Sequence, residues 1–203
     1  MKICVSVAIR CLLWHPHAAV YAPHELWLSF AAMIAALLLP FRAALGHNYQ
    51  PYCNHATRVY HIALAMRNMD AIATEKLAIA CAFHDLGIWT ANTWDYLQPS
   101  EELCAAYLRK NGKAHWAEEI LQMIHQHHKL LPYAGPHQPM VELFRKADLV
   151  DFSQGIIRFS CSKQRYRQLV ADHPYLGFHG ILMRQFMHHM KQRPWNPFPM
   201  LKL

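Results

Sequence analysis

An imidazole and a carboxylate stand side by side at His84 and Asp85, near the end of the apolar run EKLAIACAFHDLGIW. Held on a buried helix, such a pair offers one nitrogen and one oxygen to the same divalent ion. Helical period supplies the context. Between Pro51 and Met69, His55 heads a stripe with Val59, Ile62, Met66 and Met69, and between Glu75 and Leu86 the stripe is Leu77, Cys81 and His84 with Asp85 beside it. Gly87 then reads as a helix stop. From Val141 to Asp151 an apolar stripe of Val141 and Phe144 continues into Asp148 and Asp151. Carboxylates rarely enter a core unpaired, and a shared cation is one of the few ways to hold two imidazoles and two carboxylates there. His55, His84, Asp85 and Asp148 are therefore the expected metal ligands. A mixed nitrogen and oxygen set suits manganese, iron, cobalt, nickel, zinc or magnesium, with positions left for water and substrate.

Other residues cluster around this set by phase. In MIHQHHK, His127 aligns with Trp116, Ile120 and Ile124, and His128 with Ala117, Leu121 and Ile124, whereas His125 aligns with Glu118 and Gln122. His127 and His128 are expected at the cavity, as substrate contacts, as ligands of a second ion or as packed histidines; His125 is expected outside. His115 stands twelve residues before His127, about 18 Å along a helix, too far to share its ion. Arg58, one turn from His55, reads either as an anion contact or as an outward arginine. Asp151 suits proton transfer or support of a ligand, with a cap or ion pair as the alternative. The expected catalytic set is Asp85, His127, His128, Asp151 and Arg58. His61, His188 and His189 read as surface. The segment WTANTWDYLQPS, with Trp89, Trp94 and Tyr96, and the proline-rich segment holding Tyr133 read as loops roofing the site.

The order His55, His84-Asp85, Asp148, each on its own helix, resembles the HD-domain superfamily of metal-dependent hydrolases, over the chain from about Tyr49 onward. The resemblance implies an all-α HD-domain helical bundle, a divalent metal cofactor, and hydrolysis of a small phosphorylated, nucleotide-like compound by metal-activated water. No lysine follows His84-Asp85-Leu86-Gly87 and no Gly-Tyr-Pro follows His127-His128, unlike the dinuclear cyclic-di-nucleotide phosphodiesterases, and the Glu-Asp pair of guanosine-tetraphosphate hydrolases is missing. HATRVYHIALAM, the His-Asp helix and the late RPW are also similar to the cyanamide hydratase branch, which implies a lyase hydrating a nitrile-type substrate. Di-iron oxygenases of the same superfamily would need a second ion at His127 or His128.

The elements that must position these residues are helices. Apolar period predicts them near 24–45, 52–69, 74–87, 100–110, 114–129, 139–158, 163–172 and 177–192, with no alternating pattern long enough for a strand. The chain reads as one domain over 1–203: an N-terminal helical extension (1–48), a core (49–193) and an extended tail (194–203) whose three prolines bar a continuous helix. With 54% apolar and 16% charged residues it reads as globular. A formal charge of +7, spread rather than clustered, points weakly to an anionic small-molecule substrate and does not indicate nucleic acid. The start lacks a signal-peptide cleavage pattern, and the apolar stretch from Leu26 to Phe41 is shorter than the ~20 residues a membrane-spanning helix needs. Six cysteines without short paired spacing suit a reducing, cytoplasmic setting. The apolar tail is expected against the body or a second copy in a homo-oligomer.

Overall fold

The computed structural model describes residues 32–201; the first part of the helix expected at 24–45 lies outside them, as do Cys4 and Cys11. Among the described residues there is no β-strand, and the fold is an all-α bundle. Its longer helices are α1 (Tyr49–Met66), α2 (Ala71–Phe83), α3 (Leu97–Lys110), α4 (Ala117–Gln126), α5 (Gln138–Phe152), α6 (Lys163–Asp172) and α7 (Phe178–Gln192). No helix among the described residues is long and apolar enough to cross a membrane. Cys53, Cys81, Cys104 and Cys161 are free and buried.

Helix α1 is the axis of the bundle. It packs against α5, α2, α6 and α7, so every residue from Pro51 to Ala63 is buried. That overturns the surface reading of His61, which is 3% exposed and stacks on His173 at 5.8 Å. A helix enclosed on all sides has no solvent face for its period to reveal. Around it, Val59, Ile62, Leu77, Val141 and Phe144 form the core, each contributing about 1.5–3 kcal/mol by leaving water.

Helix ends decide where the polar residues fall. Asp70 caps α2 by accepting from the Ala73 N–H at 2.7 Å. The helix ends at Phe83, so His84 and Asp85 occupy the turn beyond it. Gly87 does not stop α2; it opens the short helix Gly87–Thr90, and a Cβ there would lie 2.5 Å from the Tyr96 carbonyl oxygen. Its bare α-carbon lets the 91–96 segment close onto the end of α2. Helix α4 ends at Gln126, leaving His127 and His128 just past its last turn rather than within a helix to 129. Helix α5 stops at Phe152, short of 158, because Gln154 (φ 53°) and Gly155 (φ 73°) turn the chain left-handed. Near Pro40 the expected 24–45 helix breaks into a 3-10 turn, Leu39–Phe41, and the helix Arg42–Leu45.

The segment between α4 and α5 is tied down by Glu142. Its carboxylate accepts from Arg145 Nε (2.8 Å) and Nη2 (2.6 Å) and from the Tyr133 N–H (3.0 Å), while Arg145 Nη1 donates to the Lys129 carbonyl at 3.1 Å. The Tyr133 hydroxyl meets Gln122 rather than the histidines. Burial works against the Glu142 charge, but the bonds from Arg145 and the Tyr133 N–H outweigh it and lower its pKa to about 2. A carboxylate so depressed stabilises the fold fully above its ordinary value of 4.5 and loses that contribution as pH falls toward 2. Glu142→Gln should cost about 3 kcal/mol at neutral pH, since Arg145 keeps its charge without a counterion. Denaturant midpoints of the two proteins should converge as pH drops through that window; a gap that stays constant with pH contradicts the ion pair.

Candidate metal centre

Three imidazoles are each fixed through Nδ1, which turns each Nε2 toward the same buried space. At the end of α2, His84 Nδ1–H donates back to the Cys81 carbonyl at 2.9 Å; at the end of α4, His127 Nδ1–H donates back to Ile124 at 2.6 Å. Both use the unsatisfied carbonyls of a helix C-terminus, and a carbonyl can only accept, so the tautomer is set. In the middle of α1, His55 Nδ1–H donates to Asp151 Oδ2 at 2.8 Å. Burial pushes His55 down to about 4, keeping the ring neutral. The Nε2 atoms of His55 and His84 then face each other at 3.1 Å. Two lone pairs at that distance repel unless a positive species lies between them.

The carboxylates close the same space. From His84 Nε2 it is 3.3 Å to Asp85 Oδ2 and 3.7 Å to Asp148 Oδ1; from His55 Nε2 the same oxygens lie at 3.7 Å and 3.5 Å. Ligands about 2.1 Å from one ion stand about 3.0 Å apart at an octahedral edge and about 3.4 Å at a tetrahedral one. His55, His84 and Asp85 thus form a cluster able to hold a metal ion, with Asp148 Oδ1 beside both rings. Burial, reinforced by the charges of Asp85 and Asp151 and only partly offset by His127, pushes Asp148 up to about 7. The C-termini of α2 and α4, each carrying partial negative charge, converge on the same point.

Behind His55 the support is rigid. Asp151, fully buried, receives Arg58 Nε on Oδ1 (2.7 Å) and Nη2 on Oδ2 (2.8 Å), a two-pronged contact. Burial opposes the charge of Asp151, yet the bonds from His55 and Arg58 hold its pKa below the usual carboxylate range. Arg58 spends its third donor on the His173 carbonyl at 2.8 Å and is wholly buried, so it faces Asp151 and not an anion at the open edge. Tyr52, which no motif singled out, lies one turn before His55. Its hydroxyl donates to the Ala82 carbonyl at 3.0 Å and accepts from the Asp85 N–H at 3.2 Å, which fastens the turn that carries the His-Asp pair.

The other side of Asp85 opens onto a second cluster. Asp85, His127 and His128 each bring a ligand atom within 4.8 Å of the others. His127 Nε2 and Asp85 Oδ1 are 3.5 Å apart, buried, and neither has a hydrogen-bond partner. His128 shares a 2.5 Å hydrogen bond with the Tyr96 hydroxyl, and burial pushes its pKa well below the ordinary histidine value. His125 turns away to Glu101, 2.7 Å distant. Of the expected roof, Tyr96 reaches the centre, Trp89 packs on Tyr52 at 4.8 Å, and Trp94 lies beside Phe186. Phe178, also unforeseen, stacks on the His55 ring at 4.3 Å.

A family model described as HD domain matches residues 52–153, half of the chain, from Tyr52 at the first ligand helix to just beyond Asp151. The chain belongs to the HD domain family. No curated protein and no solved structure matches it. The family match spans every carboxylate and imidazole of this HD domain's cluster, and it does not support the cyanamide hydratase-like branch. Metal content measured on purified protein should collapse in Asp85→Ala, which removes the one side chain common to both clusters. Undiminished divalent metal in that variant would show that the ion, if any, lies elsewhere.

Proposed function

We propose that this HD domain is a metal-dependent hydrolase of a small phosphorylated, nucleotide-like compound, with His55, His84, Asp85 and Asp148 as ligands. The observation that carries the reading is the convergence of the Nε2 atoms of His55, His84 and His127 on the two sides of Asp85. A divalent ion held there would lower the pKa of a bound water and polarise a phosphoryl oxygen. Asp151 and Arg58 keep the His55 ring turned so that Nε2 faces the centre. His127, whose Nδ1–H is committed to Ile124, places its Nε2 3.5 Å from Asp85 Oδ1, in position to relay a proton beside it. Burial of the cluster excludes bulk water and strengthens each of these interactions.

Two observations favour other chemistries. Arg58 and Arg145 are occupied by carboxylates, and Tyr52, Tyr96, Phe144 and Phe178 ring the cluster; a small uncharged substrate, hydrated in a lyase reaction, suits such surroundings. The facing acceptors His127 Nε2 and Asp85 Oδ1 also suit a second ion, which a di-iron oxygenase would need. Protein loaded separately with manganese, iron, cobalt or zinc should be assayed against nucleotides, phosphomonoesters and cyanamide. The proposal expects phosphate release that a chelator abolishes, and a His127→Ala variant about 100-fold slower that still retains one ion per chain. Turnover of cyanamide alone, or oxygen-dependent activity lost together with one of two irons in His127→Ala, would replace it.

A further inference from the structure

The chain after α7 is more than a loose end. It folds back through two turns, closed by Asn196 N–H to the Arg193 carbonyl and Leu201 N–H to Phe198, and is moored where His189 Nε2–H donates to the Asn196 carbonyl at 2.7 Å. His189, expected at the surface, is buried by that contact. Phe198 then stacks on Phe186 of α7 at 5.2 Å with the rings 8° from parallel. Pro197 and Pro199 stiffen the stretch around it. The path ends at Met200, which is 3% exposed although its neighbours Phe198 and Leu201 are 48% and 40% exposed.

Met200 enters a small apolar cluster, separate from the main core, made with Ile88, Tyr96 and Leu97 and flanked by Trp89, Trp94 and Leu182. Tyr96 has one end in this cluster and its hydroxyl on His128. His128 in turn packs on His127, ring centroids 4.0 Å apart, beside Asp85. The side chain of Tyr96 is thus set by what packs against its ring, and the tail supplies a distant part of that packing. We propose that Met200 is a positioning residue: carried by the strap 194–201, it holds Tyr96 against His128 and so sets the outer edge of the Asp85 centre. The proposal gives functional meaning to that edge only under the metal-centre reading above, but its geometry can be tested separately.

The test is nuclear magnetic resonance of the histidine rings in the full-length protein, with the His128 signals assigned by substitution. Tyr96→Phe removes the shared hydrogen bond and should move the His128 Nε2 resonance. Met200→Ala opens a gap behind Tyr96 and should move it in the same direction, while Met200→Leu, close in volume, should leave it at the wild-type position. Phe198→Ala, at a half-exposed site outside the buried cluster, loosens the strap and should also move it; this variant carries the test if Met200→Ala does not fold. A His128 resonance that shifts in Tyr96→Phe but stays fixed in Met200→Ala or, failing that, in Phe198→Ala overturns the proposal. Divalent metal content of the same samples separates the two claims: the shift seen in protein that takes up no metal upholds the strap and removes the metal reading instead.

Discussion

Ring nitrogens and carboxylate oxygens crowded together in one buried space are the constraint on which the rest of this structure depends. His84 and His127 are locked by helix-terminal carbonyls and His55 by an ionised carboxylate, so none of the three can relieve the crowding by turning its N–H inward. Asp85 and Asp148 add further acceptors to the same buried space. In a low-dielectric interior such a collection is costly on its own, and a cation converts the cost into binding energy. Burial and the nearby charges of Asp85 and Asp151 raise the pKa of Asp148, the direction expected where carboxylates crowd one buried space.

The bundle meets this demand by distributing the parts. Helix α1 brings His55 from its middle, the ends of α2 and α4 bring His84, Asp85 and His127, and α5 brings Asp148 with Asp151 one turn later. Helix termini are well suited to the task, because their free carbonyls orient an imidazole and their dipoles favour positive charge. A mid-helix histidine has no such carbonyl. His55 therefore needs Asp151, and Asp151 needs Arg58 to remain charged in the core. The family match over residues 52–153 covers these parts, whereas the Met200 strap lies wholly outside it.

How far this was legible in the sequence depended on the kind of contact. Apolar period placed His84 and Asp148 inward because α2 and α5 carry long buried stripes. The same reasoning failed on α1, where His61 was assigned to the surface and Arg58 either to an anion or outward, since the helix is surrounded and every phase is buried. Helix ends were drawn too late at 87, 129 and 158; the left-handed turn at Gln154–Gly155 and the close approach of Tyr96 to Gly87 are tertiary features with little local signal. Tyr52 and Phe178 escaped notice, and Tyr96 was placed only in a roofing loop, because ordinary aromatics in a core look alike until their hydroxyl partners or stacked rings are seen. His189 was misread for a similar reason: its partner, Asn196, lies in a tail expected against the body or a second copy, with no local signal for which helix face it would cover.

Under the proposed function, one cation sits where the Nε2 atoms of His55 and His84 meet the carboxylates of Asp85 and Asp148. The most direct test is anomalous scattering from crystals grown with manganese. The account predicts a peak about 2.2 Å from those four side-chain atoms, with the Nδ1 atoms of His55 and His84 still turned to Asp151 and the Cys81 carbonyl. A manganese-saturated crystal with no peak between His55 and His84, or with either ring flipped to present Nδ1, would contradict it.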